Sequence, residues 1–335
     1  MTSKKVVKVS DLRIPIDYSL SKSGITQSLL GSWQTCRRRF LFEVNGYYSP
    51  EKIKKTAYGT MVHEILDKLY THCLTENDVR SNSLNAAKDE LCFLIKDKIE
   101  TYKFTKEISL EEAEIYKAKA QAVLENYVEF YIKDFTEFKI DAIEEVFGDE
   151  GNEVKFANIY LLRGKRDGRI RDKNGDFWNF EHKNYSRVGD DLLTTLQFDL
   201  QNLFYLLADS LQGRTNIKGV LYNIIRAPEV RKFKTPYDVY KYLSDEISKN
   251  PQHYFIRYEI SYDINRLNDF GGQLLEKLID LELGIKKARF NNSIDCFYHN
   301  EKACNMPYRC DFQQACASCT MAGYKQKTNL FEELK

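Results

Sequence analysis

The segment FWNFEHKNYS, Phe177–Ser186, decides how the rest of the chain is interpreted, because aromatic residues alternate in it with polar ones. Side chains of a β-strand point to its two faces in turn. Glu181 and Lys183 therefore share one face, whereas His182 lies on the opposite face with two aromatic residues. We predict that the carboxylate and the ammonium act together, and that the imidazole packs in the core.

The sequence RDKNGD at 171–176 predicts a hairpin before this strand, with Gly175 in the left-handed conformation. If Asp172 pairs with Asp176, Asp167 comes opposite Glu181 on the neighbouring strand. Two opposed carboxylates repel each other unless a cation lies between them. A hard divalent cation such as Mg²⁺ or Mn²⁺ prefers oxygen ligands and would remove this cost. A register shifted by one residue would separate the two carboxylates.

An aspartate on one strand and a Glu-x-Lys sequence on the next form the set that metal-dependent phosphodiester hydrolysis requires. The cation would supply Lewis acidity and an activated water. Lys183 would position or deprotonate a water, or stabilise the negative charge that develops on a phosphate.

Two other features lie on predicted helices. His63 follows Gly59 by one helical turn, at the edge of an apolar stripe. Gln197, Gln201 and Tyr205 form a polar stripe on a helix that is otherwise rich in Leu and Phe. Buried amides and phenols need partners, which an active site or a bound strand of nucleic acid would supply.

Composition indicates a folded chain with balanced charge. Of the 335 residues, 43% are hydrophobic and 30% are charged, with 50 Lys plus Arg against 49 Asp plus Glu. Any surface for nucleic acid must therefore be local. Residues 1–15 lack the apolar core of a signal peptide, and no stretch has the ~18 apolar residues of a membrane span. We expect a cytoplasmic protein that does not enter membranes.

Helical and strand patterns predict an α/β fold with a central mixed β-sheet flanked by helices. Thr26 is the expected N-cap of one continuous helix over 24–43. A helical lobe is expected at 80–138, and the pattern changes to that of strands from Glu144 onward. A single buried helix is expected at 190–211, and the segment from Arg226 to Lys249 is notable only for its charge.

Four short motifs resemble, in their order, those of the RecB-like branch of the PD-(D/E)XK nuclease superfamily. The resemblance extends from about Cys36 to Cys316 and includes phage exonucleases and CRISPR-adaptation nucleases that carry an iron-sulfur cluster. It implies a restriction-endonuclease-like core with a helical lobe and a C-terminal cysteine region. The motifs are G-x-x-x-H at Gly59–His63, G-x-x-D at Gly164–Asp167, E-x-K at Glu181–Lys183, and Q-x-x-x-Y at Gln201–Tyr205.

This resemblance implies a role for each motif residue. Lys183 would be the catalytic lysine, and Gln201 and Tyr205 would support the site and contact DNA. The ligands of Mg²⁺ or Mn²⁺ would be His63, Asp167, Glu181 and the backbone carbonyl of His182. Arg166 departs from the family pattern, since many relatives have an apolar residue or proline there. Whether Glu144 or Glu145 supports the site stays open.

Five of the eight cysteines lie between residues 296 and 319. Disulfides are disfavoured in an intracellular protein, which leaves metal binding or ordinary core packing. The resemblance implies a 4Fe-4S cluster held by Cys36, Cys304, Cys310 and Cys316. Zinc is the alternative, although its sites usually contain C-x₂₋₄-C pairs. Cys316 and Cys319 form such a pair, so Cys319 could replace one ligand. The thiols expected to be ordinary are those of Cys73, Cys92 and Cys296.

We expect a single nuclease domain over residues 1–335, in which the segment 296–319 closes onto Cys36. Basic residues are expected to follow the path of DNA in three groups. The groups are Arg37, Arg38 and Arg39; Arg163, Lys165, Arg166, Arg169 and Arg171; and Arg226, Arg231, Lys232 and Lys234.

These features predict a metal-dependent exonuclease that acts on single- or double-stranded DNA with free ends, in phage-type replication, recombination or DNA degradation. Its partners would be DNA and proteins of replication or recombination. Three alternatives stay open: an endonuclease of the same superfamily, a non-catalytic DNA-binding module used in recombination or assembly, and a zinc-stabilised binding protein.

Overall fold

A mixed β-sheet forms the centre of the protein. The computed structural model describes residues 6–75, 84–105, 109–214, 216–229, 235–305 and 309–334. The strands in these ranges are β1 (Ile25–Thr26), β2 (Tyr47–Tyr48), β3 (Lys139–Phe147), β4 (Val154–Phe156), β5 (Tyr160–Arg171), β6 (Phe177–Tyr185), β7 (Ile217–Arg226), β8 (Phe255–Ser261) and β9 (Lys325–Gln326).

Helices connect and cover these strands. The helices in the same ranges are α1 (Gln27–Thr35), α2 (Arg37–Val44), α3 (Pro50–Thr75), α4 (Leu84–Thr105), α5 (Leu110–Phe130), α6 (Asp134–Glu137), α7 (Asp190–Leu196), α8 (Leu200–Leu211), α9 (Pro236–Lys249), α10 (Pro251–Tyr254), α11 (Ile264–Asn291) and α12 (Gln313–Ser318).

Strand β5 organises the sheet, because its two halves have different neighbours. The strand order is β1-β5-β6-β7-β8, with β3 and β4 also paired to β5. The first half of β5 runs parallel to β1 and antiparallel to β4, whereas the second half pairs antiparallel with β3 and β6. Strands β6 and β7 are parallel, and β7 and β8 are antiparallel. The predicted mixed sheet flanked by helices is therefore confirmed.

Helices cover both faces of the sheet. Trp178 and Phe180 pack on one face against α3, α4, α5 and α9, while Val220 and Ile224 pack on the other face near α7 and α8. The alternation predicted for β6 is thus observed. Helices α4, α5 and α6 lie within the predicted lobe, of which residues 80–83 and 106–108 fall outside the described ranges. None of the described helices combines the length and apolar composition needed to cross a bilayer.

The two ends of the described chain are joined by backbone hydrogen bonds. Val9 N–H donates to the carbonyl of Cys319, and Met321 N–H donates to that of Val7, both at 2.9 Å. Strands β2 and β9 form a separate antiparallel pair. The segment around Val7 and Val9 therefore packs on residues that are more than 300 positions later in the chain.

The expected single helix over 24–43 is wrong in one respect. Thr26 is the N-cap, and its side chain accepts from Leu29 N–H at 3.3 Å. The helix stops at Cys36, whose φ of −160° and ψ of 112° are those of extended backbone, and α2 begins at the next residue. This break redirects the chain so that the Cys36 thiol faces Asn300, whose N–H donates to it at 3.4 Å.

The helix expected at 190–211 is also divided. Asp199 caps the second part, α8, by accepting from Gln201 N–H at 2.9 Å. A capping aspartate starts a new helix, and the sequence pattern did not reveal it because the apolar residues continue on both sides. Gln197 therefore lies before α8, and the predicted polar stripe is reduced to Gln201 and Tyr205.

Two other elements differ from expectation. Strand β3 begins at Lys139 rather than near Glu144. Helix α9 occupies part of the segment that was notable only for charge, with Thr235 as its N-cap and Pro236 in its first turn. A capping threonine followed by proline is a helix-start signal that the charge of the segment obscured.

Gly164 lies where β5 passes beneath Phe147 and Tyr205. A Cβ added there would be 2.6 Å from the Phe147 ring and 2.8 Å from the Tyr205 ring. We expect Gly164→Ala to lower the free energy of unfolding by about 1–3 kcal/mol, the usual cost of overpacking. Urea denaturation followed by circular dichroism measures this change.

Gly272→Ala is the matched control. Gly272 lies exposed in α11, and a Cβ there meets no heavy atom of the described residues within 4 Å. Alanine should raise stability by about 0.5–1 kcal/mol through helix propensity. Equal stability of the two variants would contradict the packing argument.

Candidate active site

The site forms where strands β5 and β6 stop pairing. Their antiparallel ladder ends at Gly168 opposite Phe180, and Gly175 in the hairpin has a φ of +85°. One further step in this register puts Asp167 opposite Glu181, so the predicted register is confirmed. Beyond the last pair, the two strands leave room for side chains from α3 and α8.

The Asp167 carboxylate connects three elements. Its Oδ2 accepts from the backbone N–H of His182 at 2.9 Å and lies 3.1 Å from Nε2 of His63 on α3. Burial acts to raise the pKa of Asp167, but His63 outweighs it and the pKa falls below its usual value. Burial likewise opposes the charge on His63, whose pKa Asp167 nevertheless raises to about 10. Asp167 is therefore held as a carboxylate beside α3.

Glu181, Lys183 and Gln201 form a hydrogen-bonded triangle. Lys183 Nζ donates to Glu181 Oε1 at 2.7 Å and to Gln201 Oε1 at 2.8 Å, and Gln201 Nε2 donates to Glu181 Oε1 at 2.7 Å. Burial, then the nearby Asp167, raises the pKa of Glu181 to about 7. Burial alone would lower the pKa of Lys183, but the charge of Glu181 raises it. The structure thus brings together the predicted Glu, Lys and Gln.

Tyr205 supports this triangle from within the core. Its side chain is only 5% exposed, and its ring packs edge-on against Phe147 with 5.7 Å between centroids. Gln201 is close enough to affect the pKa of the Tyr205 hydroxyl, and the bare Cα of Gly164 leaves space for the ring. The position of Tyr205 is therefore consistent with its expected support of the site. Its ring is too deeply buried to contact DNA.

The His182 ring lies in the core, as the alternation predicts. It stacks on Tyr70 with 5.6 Å between centroids and lies 4.7 Å from the Phe180 ring. Its Nδ1 is 2.6 Å from the side-chain amide of Asn223, and burial lowers its pKa to about 3. The imidazole is therefore neutral and packed, and metal binding through the carbonyl of His182 stays a prediction.

Side chains that can hold a cation converge at this junction. Ligand atoms of His63, Glu144 and Asp167 lie within 4.8 Å of one another, the only such group of His, Cys, Asp or Glu among the described residues. Glu181 is adjacent, since its charge affects the pKa of His63, but its Oε1 is engaged by Lys183 and Gln201. One imidazole nitrogen with carboxylate oxygens fits Mg²⁺ or Mn²⁺.

Glu144 is the residue that the sequence left undecided. It has a φ of +54°, a conformation that non-glycine residues rarely adopt and that is concentrated at functional sites. Its carboxylate forms an ion pair with Lys165 on β5. Glu145 instead pairs with Arg166, Arg169 and Arg214, away from the candidate metal ligands. Regular alternation could not reveal Glu144, because the positive φ redirects its side chain.

Arg166 is a structural residue rather than a DNA contact. It is 1% exposed, and its guanidinium lies 2.8 Å from Asp209 and 3.2 Å from Glu145. Because it is buried and paired, its place in the predicted DNA path is wrong. The departure from the family pattern is therefore accommodated by carboxylates on α8 and β3.

Several other predicted DNA-contacting arginines have partners within the protein. Arg37 pairs with Asp280 at 2.9 Å, Arg39 pairs with Glu43 at 2.8 Å, and Arg169 pairs with Asp141 at 2.6 Å. Further contacts hold Arg38 to Phe297, Arg163 over Phe331, Arg171 over Phe177 and Arg226 to Val188 and His253. Arg231, Lys232 and Lys234 lie outside the described residues.

The four predicted cysteine ligands lie together near Cys36, which follows the last residue of α1. Burial, and then the neighbouring thiols of Cys36, Cys310 and Cys304, raise the pKa of Cys316 to about 11. Cys319 is exposed in left-handed backbone, with φ +53°, and its thiol donates to the Cys316 carbonyl at 3.7 Å. The nominated thiols are therefore mutual neighbours.

We expect His182→Ala to lower the free energy of unfolding by about 2–5 kcal/mol, because it removes a packed ring and leaves the Asn223 amide without its partner. Urea denaturation measures the loss. The exposed His253 provides a control, since His253→Ala should stay within about 0.5 kcal/mol of the parent. Similar stabilities of the two variants would contradict a packing role for His182.

A protein-family model matches most of the chain. The profile of the PD-(D/E)XK nuclease superfamily matches residues 25–317, a range that contains the four motifs and the clustered thiols. None of the curated proteins that were compared matches the chain. The matched range also contains the central sheet and the junction of β5 and β6 described above. The chain therefore belongs to the PD-(D/E)XK nuclease superfamily.

Proposed function

We propose that the protein is a metal-dependent DNA exonuclease that also carries a 4Fe-4S cluster. The observation that carries the nuclease proposal is the junction of β5 and β6, where His63 and Asp167 meet the triangle of Glu181, Lys183 and Gln201. A retained Asp, Glu and Lys set supports catalysis over a non-catalytic binding role. The RecB-like order of the motifs supports an exonuclease over an endonuclease.

The proposed cation site combines side chains with one backbone carbonyl. The cation, Mg²⁺ or Mn²⁺, would be bound by His63, Asp167, Glu181 and the His182 carbonyl, with Glu144 beside them. When bound, it supplies Lewis acidity and lowers the pKa of water. Glu181 also orients Lys183, and this second contact requires the glutamate to share its oxygens between the cation and the ammonium.

Lys183 is assigned to charge stabilisation. An ammonium has three donors, and two of them are used by Glu181 and Gln201. No acceptor among the described residues engages the third, which can donate to a phosphate oxygen as negative charge develops on it. A donor held in place before reaction stabilises such charge without reorganisation. Gln201 acts as a positioning residue, because its side chain accepts from the Lys183 ammonium and donates to Glu181.

The arrangement of the thiols supports an iron-sulfur cluster over a single zinc ion. The nominated ligands Cys36, Cys304, Cys310 and Cys316 contain no C-x₂₋₄-C pair, the spacing that structural zinc sites usually show. Arg38 and Arg39 influence the pKa values of Cys316 and Cys310, so positive charge is close to the thiols. The Asn300 N–H to Cys36 adds a hydrogen bond of the kind that tunes such clusters.

The role proposed for the cluster is to join the ends of a single nuclease domain. It would connect Cys36, at the break between α1 and α2, to Cys304, Cys310 and Cys316. Bonds to metal and closure of a long loop would both stabilise the fold. The wider proposal is phage-type replication, recombination or DNA degradation in the cytoplasm, with DNA as the substrate and proteins of these processes as partners.

Digestion of end-labelled DNA tests the activity. With Mg²⁺ or Mn²⁺, linear single- or double-stranded DNA should shorten from its ends while covalently closed circles stay intact. Lys183→Ala should reduce the rate by about 10²–10³, the usual cost of removing a preorganised donor. Cleavage of closed circles would favour an endonuclease instead.

Lys218→Ala is the matched control, because Lys218 is an exposed lysine on β7 that pairs with Asp176 away from the junction. It should cleave DNA at nearly the parental rate. The nuclease proposal fails if the parent cleaves no DNA with either cation, or if Lys183→Ala cleaves as well as Lys218→Ala.

Colour and metal content test the cluster. Protein purified without oxygen should be brown and contain about four iron atoms per chain if a 4Fe-4S cluster is present. Cys316→Ser should lose iron and stability, whereas Cys296→Ser and Cys319→Ser should retain both. A colourless protein with stoichiometric zinc would contradict the assignment, and iron loss in Cys319→Ser would change the ligand set.

A further inference from the structure

Helix α3 carries a second acidic residue toward the candidate metal ligands. Asp67 follows His63 by one helical turn, is 7% exposed, and has Oδ1 3.7 Å from His63 Nε2. This oxygen is fully buried and has no hydrogen-bond partner among the described residues. A buried carboxylate oxygen without a partner is costly and needs an explanation.

The surroundings of Asp67 are mostly negative. Glu144 and Asp167 both act on the Asp67 carboxyl as neighbouring negative charges. Two cationic groups act in the opposite direction: His63, and Lys165, which is already paired with Glu144. When His63 binds a cation through Nε2, it is neutral and no longer offsets the Asp67 charge.

We propose that Asp67 belongs to the divalent-cation centre as an outer ligand, accepting hydrogen bonds from the hydrated ion instead of binding it directly. An outer position follows from the geometry, because Asp67 is not part of the group whose ligand atoms all lie within 4.8 Å. Mg²⁺ retains several waters when carboxylates bind it, and these waters need acceptors. The inference rests on the proposed metal-dependent function.

A purely structural role gives a different expectation. If Asp67 were only a neutral, packed carboxyl, asparagine would replace it without changing the affinity for metal. If it receives the hydration shell of the cation, asparagine removes a negative charge and should weaken binding about 10–100-fold, the usual range for outer-shell partners. Stability of the metal-free protein does not separate these roles, because asparagine has nearly the same size as aspartate and adds no buried charge in either case.

Mn²⁺ binding measured by calorimetry separates them. Relative to the parent, Asp67→Asn should bind Mn²⁺ about 10–100-fold more weakly while its metal-free urea midpoint is unchanged or higher. Asp67→Glu keeps the charge and should bind more tightly than Asp67→Asn. Asp97→Asn is the control, because it removes an exposed carboxylate paired with Lys68 and should bind as the parent does.

Asp167→Asn distinguishes failure of the inference from failure of the proposed function. Loss of Mn²⁺ binding in Asp167→Asn with parental binding in Asp67→Asn overturns the role of Asp67 alone. Parental binding in both variants overturns the metal centre as well. Equal Mn²⁺ affinities of the Asp67→Asn and Asp67→Glu variants also overturn the inference. This holds even if the asparagine variant is poorly folded.

Discussion

The site depends on a single carboxylate oxygen, Oδ2 of Asp167, which accepts the His182 amide and lies beside the His63 imidazole. The amide is available because β5 and β6 have stopped pairing one step earlier. The Asp167 carboxylate takes the place of a backbone acceptor on the neighbouring strand. Its contact with His63 also holds α3 against the sheet. Since the same strand end presents Glu181 to Gln201 on α8, the end of one ladder brings helices from both sides to one point.

Much of this junction could be predicted from sequence, because it depends on residues of one hairpin that are close together in the chain. Period-two alternation separated Glu181 and Lys183 from His182, and the hairpin turn set the register that puts Asp167 opposite Glu181. The missed features depend on breaks in regular structure. The choice between Glu144 and Glu145 stayed open because the positive φ of Glu144 interrupts the alternation. The helix breaks at Cys36 and before Asp199 have no Gly or Pro to mark them. The expected DNA contact of Arg166 was wrong, because sequence shows the charge but not the carboxylates of Glu145 and Asp209 that pair with it in the core.

Those neutralised charges form a second organising feature. Arg166, Arg169 and Arg214 share the carboxylates of Glu145, Asp209 and Asp141, three positive groups with three negative ones. Asp209 also accepts from Asn179 on β6 at 2.9 Å. Such buried ion pairs add little net stability compared with apolar packing, but removing one member leaves an unpaired buried charge. The network therefore restricts how β3, β5 and α8 can be arranged relative to β6.

The hydrogen bonds that join the two ends of the described chain have a consequence for biosynthesis. Val7 and Val9 bond to residues 319–321, and strand β2 pairs with β9 at 325–326. During translation, these contacts cannot form until residues 319–326 have left the ribosome, and contacts so distant in sequence form slowly. A nascent chain released early would expose Phe42, which packs on Phe312 in the finished protein, to chaperones and proteases. Burial of Phe42 on α2 is thus coupled to synthesis of the segment that contains Phe312.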